Sequence, residues 1–116
     1  MTTADITDDI NWTAVLDRFE NDKELLREVV ALFLDDCPRR LDELRAAVLR
    51  GDRAAVEQVA HSIKGSVANF AAATAVTAAQ RLEMIGRDGD MTTAGAACSA
   101  LEQEVNRLSA ALVHLT

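Results

Sequence analysis

Apolar side chains recur at three- and four-residue steps along most of this chain of 116 residues. Because an α-helix turns about 100° per residue, that spacing places them along one face of a helix. Proline occurs once, glycine five times, and aromatic residues make up 3% of the chain. This composition favours helix over sheet throughout. We therefore expect an all-α protein.

Turn-forming residues divide the pattern into separate helices. Gly51 followed by Asp52 is typical of a helix end and the N-cap of the next helix, and Asp22 is a second N-cap candidate. Pro38 interrupts the first long helix, where we expect a kink or a break. The run Gly-Arg-Asp-Gly-Asp at residues 86–90 is a strong loop pattern. The other predicted helices run from about residue 12 to 19, 53 to 71, 74 to 85 and 92 to 115.

Short connections between long amphipathic helices place sequential neighbours antiparallel. The sequence therefore predicts an up-down antiparallel four-helix bundle with a short extra helix at its N-terminal end. We expect residues 10–116 to form a single domain, because a chain of this length buries a core without disulfides. Residues 1–9 are small, polar and acidic, and we expect them to be flexible. We further expect a monomer.

The charge balance argues against two classes of partner. Lysine and arginine number 12 and aspartate and glutamate 19, so the formal net charge is −7. A nucleic acid or an anionic membrane would require a basic face instead. No apolar run approaches the roughly 20 residues that span a bilayer, and the N-terminus shows no signal-peptide pattern. We expect a soluble cytoplasmic protein in which Cys37 and Cys98 are reduced packing residues.

The helix predicted for residues 53–71 carries an unusual polar face. Lys64 and Gly65 lie within about 60° of His61 around the helix axis. A glycine inside a helix costs about 1 kcal/mol relative to alanine, and here any larger side chain would crowd the imidazole. Lys64 can bring an ammonium group to whatever the ring nitrogen carries, which suits a phosphoryl group. The opposite face is apolar and core-facing, with Val56, Val59, Ile63, Val67 and Phe70.

This stretch resembles the signature of histidine-containing phosphotransfer (Hpt) domains, in which His-x-x-Lys-Gly-Ser is followed by asparagine and a large apolar residue. The chain departs from the family at Ala71, where glycine is usual, and alanine resists positive φ. We therefore expect the turn leaving the helix to differ. The helix layout resembles the family from about residue 12 to the C-terminus. The matching residues are His61, Lys64, Gly65, Ser66, Asn69 and Phe70.

The resemblance implies a relay function. The phosphoryl group would be carried on Nε2 of His61. Its partners would be receiver domains of response regulators and hybrid histidine kinases, whose aspartate and bound magnesium accept or donate the group. The chain itself would need no cofactor. Docking would use the small-residue face at Gly65, Ala68 and Asn69.

The antiparallel register adds a candidate for orienting the ring. If the turn after this helix is centred near residue 72, Glu83 lies beside His61, and Gln80 is the neighbouring candidate one turn away. A carboxylate that accepts a hydrogen bond from Nδ1–H would leave the Nε2 lone pair free. By resemblance, an acidic or amide side chain at this distance supports the ring. Lys64 would offset the charge of the phosphoryl oxygens.

Other functions stay open. No glycine-rich phosphate loop is present, so we expect no ATP site, and we interpret the chain as a phosphoryl carrier and not an enzyme. Glu57 and His61 stand four apart and could form half of a metal site. A helical scaffold or anti-kinase module with the same fold is a further alternative. A chemotaxis-kinase phosphotransfer domain is a close relative, and the sequence does not distinguish a free-standing protein from a piece of a larger kinase.

Overall fold

The structure, a computed structural model, describes residues 12–115. The flexible segment expected at residues 1–9 lies outside the described residues. Two short 3₁₀ turns, Met91–Thr93 and Val113–Leu115, flank the last helix. The α-helices in the described part are α1 (Trp12–Arg18), α2 (Lys23–Arg50), α3 (Arg53–Ala68), α4 (Ala73–Asp88) and α5 (Ala94–Leu112).

Helices α2 to α5 form the bundle. Helix α3 packs against α2 and α4, and α5 closes the bundle against α4 and α2. The short helix α1 adds Val15 to the same buried core, and Trp12, Leu16 and Phe19 pack partly buried against it. This arrangement confirms the predicted all-α four-helix bundle with a short extra helix at its N-terminal end.

The two predicted N-caps are confirmed. The backbone N–H of Leu25 donates to Oδ1 of Asp22 at 3.0 Å, and that of Ala55 donates to Oδ1 of Asp52 at 3.1 Å. Each such cap contributes about 1 kcal/mol to helix stability. Gly51 ends α2 in the left-handed region with φ 67°. Sequence therefore identifies both ends of the connection between α2 and α3.

The break expected at Pro38 does not occur. Helix α2 is continuous from Lys23 to Arg50 with the proline inside it, so the prediction of a break is wrong, while a kink stays a prediction. Proline removes one backbone hydrogen bond, whereas the buried side chains on both sides of it, from Phe33 to Leu44, keep a single helical face against the core. Burial of that face outweighs the lost bond.

The loop predicted for residues 86–90 is also wrong over its first half, because α4 continues to Asp88. Gly86 is buried at the crossing of α3 and α4. A Cβ atom there would lie 2.6 Å from the backbone nitrogen of Glu57 and 2.9 Å from the carbonyl oxygen of Arg53. The glycine therefore marks a close approach of two helix backbones and not a turn.

Helix α3 ends at Ala68, three residues before the end that the sequence predicts at about residue 71. The chain then turns through Asn69 to Ala72, and Ala71 adopts a φ of 51°. Phe70 and Ala72, on either side of it, are both buried. The alanine thus takes up the left-handed conformation that glycine adopts more readily.

The core lies opposite the polar face of α3. The predicted apolar residues of this helix are buried, with Val59 partly so. Phe70 packs edge to face on Phe33 of α2, with ring centroids 5.2 Å apart. Cys37 and Cys98 are free and buried in the same core, and burial raises the pKa of the Cys37 thiol to about 11. Within residues 12–115, no helix has the length and apolar character needed to cross a membrane.

Candidate functional site

His61 lies on the outer face of α3, where 68% of its side chain is exposed. Its Nδ1 atom lies 2.7 Å from Oε2 of Glu83 on the neighbouring helix α4. A second pair lies one turn away, with Glu57 before His61 on α3 and Arg87 after Glu83 on α4, and Nε of Arg87 lies 2.9 Å from Oε2 of Glu57. The residue numbers of each pair are symmetric about position 72. The predicted antiparallel register between these helices is therefore confirmed.

Glu83 is the only charged residue that is buried in the described part of the chain. Its Oε1 atom accepts a hydrogen bond from Nζ of Lys64 at 2.5 Å. The Lys64 ammonium lowers the pKa of Glu83; burial acts against it, and the hydrogen bond to His61 adds to the lowering. The carboxylate is accordingly ionised near neutral pH and can only accept hydrogen bonds.

The tautomer of the His61 ring follows from that state. Because the Glu83 carboxylate has no proton to donate, Nδ1 must carry the proton of the neutral ring. The lone pair is then on Nε2, at the exposed side of a ring that is held through its other nitrogen. The geometry suits a nucleophilic Nε2. The role of Glu83 in orienting it stays a prediction.

Gln80, the alternative candidate for orienting the His61 ring, lies one turn before Glu83 on α4 and is exposed. It lines a shallow surface depression with Thr77, Arg81 and Met84. Among the described contacts of the ring, the hydrogen bond goes to Glu83 and not to Gln80. The arrangement therefore favours Glu83 for the orienting role.

Lys64 lies beside the ring with its ammonium on Glu83. The sequence predicts that this ammonium offsets phosphoryl charge. In the unphosphorylated chain it instead neutralises the carboxylate that contacts the ring, with 28% of the lysine side chain exposed. The four-carbon stem of a lysine is flexible, so the ammonium can turn toward an added phosphoryl group.

Gly65 is exposed one turn after His61. A Cβ atom built on it meets no heavy atom within 4 Å, apart from its own helix backbone and chain neighbours. The expectation that any larger side chain crowds the imidazole is therefore wrong for a methyl group. Only a longer side chain, or one met by an approaching partner, can restrict access to the ring.

The cluster includes one residue that sequence reasoning assigned to a loop. Arg87 contacts Glu57 and also places Nη2 3.7 Å from Oε2 of Glu83, the atom that accepts from the ring. Its spacing of four residues from Glu83 could have indicated it, had the helix been predicted to continue. The structure thus adds Arg87 and Glu57 to the surroundings of His61.

One of the predicted docking residues, Asn69, lines a cleft, whereas Gly65 and Ala68 do not. Ala68 and Asn69 are partly exposed at the end of α3. Asn69 lines a cleft of about 400 Å³ between α2 and α3. Leu32, whose side chain is 69% exposed, lines the opposite wall. The other lining residues include Val29, Phe33, Asp36, Cys37, Arg40, Ile63, Ser66 and Phe70.

A metal site would need more ligands than His61 and Glu57. Across residues 12–115, no group of three or more histidine, cysteine, aspartate or glutamate side chains is placed to hold a metal ion. Glu57 is instead engaged with Arg87. The arrangement gives the metal alternative no support.

Comparison with known proteins identifies the family. The Hpt domain family matches residues 28–111, well over half of the chain. The chain belongs to the Hpt domain family. Its structure is similar to the crystal structure of histidine-containing phosphotransfer protein B (HptB) from Pseudomonas aeruginosa PAO1, with a TM-score of 0.83 and 25% sequence identity over 90% of this chain and 91% of that one. A search of curated proteins found no match.

Membership in the family fixes the general activity. Hpt domains relay phosphoryl groups between kinases and receivers, and they act as phosphoryl carriers and not as catalytic enzymes. In this Hpt domain, the ring of His61, the buried Glu83 and the ammonium of Lys64 are the groups that the fold brings together on an exposed face.

Proposed function

We propose that this Hpt domain carries a phosphoryl group on Nε2 of His61 and exchanges it with the aspartate of response-regulator receiver domains. The observation that carries the proposal is the 2.7 Å contact between Nδ1 of His61 and Glu83, on a ring that is 68% exposed. A ring held through Nδ1 presents the lone pair of Nε2 to an approaching partner.

The transfer step needs little from this chain beyond positioning. The Nε2 lone pair attacks the phosphorus of the receiver's aspartyl phosphate, the N–P bond forms, and the P–O bond to aspartate breaks. The ring then carries a positive charge, because Nδ1 keeps its proton. The Glu83 carboxylate accepts from that N–H group and stabilises the charge. The same contacts operate in the reverse direction.

Lys64 supports this chemistry through charge. While it is paired with Glu83, the two side chains together present little net charge to an anionic phosphoryl group. Once the phosphoryl group is in place, the lysine ammonium can turn from Oε1 of Glu83 toward the phosphoryl oxygens. We expect a loss of Lys64 to slow transfer in both directions.

The receiver domain supplies the other half of the site. Its aspartate and magnesium ion complete the transfer, and a phosphorylated hybrid histidine kinase is the corresponding donor. We infer that the receiver contacts Gly65, Ala68 and Asn69. The cleft between α2 and α3, which Asn69 and the exposed Leu32 both line, adjoins that face on the side of α2.

The test is label transfer from a phosphorylated receiver domain in the presence of magnesium. The wild type is compared with His61→Gln, and we expect acid-labile label on the wild type alone. No label on either protein, with several receivers and a histidine kinase, would instead favour a scaffold that keeps the fold without carrying phosphate.

The orienting role of Glu83 is tested by Glu83→Ala in the same assay, with circular dichroism as a check on folding. We expect transfer to slow about tenfold or more, because the ring loses the acceptor that fixes its tautomer. An unchanged rate in a folded variant would show that the contact between Glu83 and the ring does not matter for transfer.

A further inference from the structure

Arg87 connects two carboxylates beside the phosphorylation site. Its Nε atom donates to Oε2 of Glu57 on α3 at 2.9 Å, while Nη2 lies 3.7 Å from Oε2 of Glu83 on its own helix. That second oxygen is the one that contacts Nδ1 of His61. The guanidinium of Arg87 and the imidazole of His61 therefore both lie next to Oε2 of Glu83.

The charged side chains that these contacts and the Lys64 hydrogen bond join to the ring balance only when Arg87 is counted. On the helix of His61 they are Glu57 and Lys64, and on α4 they are Glu83 and Arg87, two negative and two positive. On α2, the other helix packed against α3, Asp36 pairs with Arg39 and with Arg40, and Arg39 also pairs with Glu43, so these four charges balance among themselves. Without Arg87 the cluster would carry one net negative charge, which repels an anionic phosphodonor.

We propose that Arg87, whose guanidinium lies between Glu57 and Glu83, is a positioning residue for His61: it keeps the Glu83 carboxylate at Nδ1 and lowers the negative potential at the ring. The proposal rests on the proposed function, since it assigns Arg87 a part in the phosphorylation of His61. Arg87 acts through Glu83 and through its charge.

The proposal predicts opposite effects from the two ways of breaking one ion pair. Arg87→Gln makes the surroundings of the ring more negative, whereas Glu57→Gln makes them more positive and leaves Arg87 free to approach Glu83. If the ion pair between Arg87 and Glu57 only stabilised the packing of α3 against α4, both variants would change the His61 site in the same way.

The first measurement is the nitrogen NMR spectrum of the neutral His61 ring, which reports which ring nitrogen carries the proton. The chain has two histidines, and His61→Gln identifies which signals belong to which. For Arg87→Gln we expect the share of the Nδ1–H tautomer to fall to about half, because the Glu83 carboxylate is no longer kept at Nδ1. For Glu57→Gln, in which Arg87 can still approach Glu83, we expect the Nδ1–H tautomer to persist. An Arg87→Gln ring with the wild-type tautomer share, or an equal loss in both variants, would overturn the proposal.

The second measurement is the phosphorylation of His61 by phosphoramidate, a small donor that needs no partner protein. The N–P bond to Nε2 forms, the P–N bond of the donor breaks, and ammonia leaves. At pH 7 and low salt we expect Arg87→Gln to be slower by about threefold or more, Glu57→Gln not to be slower, and Arg87→Lys to be close to wild type. A rate for Arg87→Gln equal to the wild-type rate counts against the proposal.

Arg45→Gln is the matched control. It breaks another ion pair between helices, in which Nε of Arg45 lies 2.5 Å from Oε1 of Glu102, on α2 and α5 and away from the ring. We expect it to leave both measurements unchanged. If wild type takes no label at His61, the proposed function fails. The tautomer of the His61 ring still decides the role of Arg87, so the two failures are distinguishable.

Discussion

Ala71 shows how a single residue can depart from its preferred backbone conformation. Its φ of 51° lies in the left-handed region, which costs a non-glycine residue about 1 kcal/mol or more. The conformation is held from both sides, because Phe70 and Ala72 are buried. From the sequence, the alanine suggested a different turn. Burial of its neighbours, which no local pattern reports, keeps the positive φ instead.

We expect Ala71→Gly to raise the free energy of unfolding by about 0.5–1 kcal/mol. The gain is partly offset because glycine also gives the unfolded chain more freedom. Urea denaturation followed by circular dichroism measures the difference. Gly51→Ala is the reverse control: Gly51 has a φ of 67° and space around its Cβ position, so this variant should be destabilised by about 1 kcal/mol. If both variants changed the free energy of unfolding in the same direction, the positive φ would not explain the effect.

The ionisation of Glu83 makes the stability of the fold depend on pH. Its pKa is lowered first by the Lys64 ammonium and then by the His61 ring, while burial opposes the shift. Because the pKa in the folded state lies below that of the unfolded chain, the carboxylate stabilises the fold above the unfolded pKa, which is about 4.3 for glutamate. This contribution is lost as the pH falls through the lower, folded-state pKa.

We therefore expect wild type to be more stable than Glu83→Gln at pH 7, with the difference shrinking below about pH 4. Thermal or urea unfolding of the two proteins across this range measures it. The pKa of Asp36 is also lowered, first by its hydrogen bond to Arg40. Because Asp36 is present in both proteins, its contribution cancels when their stabilities are compared. A difference that does not change with pH would mean that the charge of Glu83 does not stabilise the fold.

At the scale of the helices, Gly86 determines how closely α3 and α4 approach. The atoms that a Cβ at this position would meet are backbone atoms of Arg53 and Glu57, which cannot turn aside as a flexible side chain can. The close crossing brings Glu83 and Arg87 on α4 to His61 and Glu57 on α3. The geometry of the site thus depends on a glycine outside it.

We expect Gly86→Ala to lower the free energy of unfolding by about 1–3 kcal/mol, because the extra methyl group forces the two helices apart. Gly95→Ala is the matched control in α5. Its Cβ position is open, and the change should stabilise the helix by up to about 1 kcal/mol. Denaturant midpoints compare the two variants. Equal effects at both positions would mean that the crossing adjusts easily.

How far the helices could be predicted depends on which forces decide them. The N-caps at Asp22 and Asp52 depend on local hydrogen bonds, and the buried face of α3 depends on hydrophobic periodicity. Both features could therefore be predicted from the sequence. At Pro38 and Gly86 the residue type indicated an interruption, but burial of the flanking side chains keeps each helix continuous. Tertiary packing outweighs local preference at such positions.

How much of the candidate site could be predicted depends on how well the register between α3 and α4 could be predicted. Placing the turn near residue 72 was enough to bring Glu83 to His61, because antiparallel helices pair residues symmetrically about the turn. Arg87 was missed because it follows Gly86, which sequence alone assigns to a loop. The pairing of Lys64 with Glu83 could not be inferred either, since the sequence does not say which way a flexible lysine side chain turns.

At the scale of the whole molecule, the proposed phosphorylation of His61 makes different demands on a small donor and on a protein donor. A small phosphodonor needs only the exposed side of the His61 ring, whereas a receiver domain must place a folded surface against α3. Gly65 lies on that surface with open space around its Cβ position. Among residues 12–115, no heavy atom beyond its own helix backbone and chain neighbours lies close enough to require a glycine there, so we expect the approach of a partner to be the reason for it.

We expect Gly65→Gln to separate these two demands. The variant should fold with a stability up to about 1 kcal/mol above wild type, because glutamine replaces glycine in an exposed helix. Labelling by phosphoramidate should persist within a few-fold, while transfer from a phosphorylated receiver domain should fall about tenfold or more. Gly95→Gln makes the same exchange on α5 and should keep full transfer. If Gly65→Gln accepts label from the receiver at the wild-type rate, partner access does not explain the glycine. If instead it loses labelling by both donors, the long side chain obstructs the ring itself and not the docking surface.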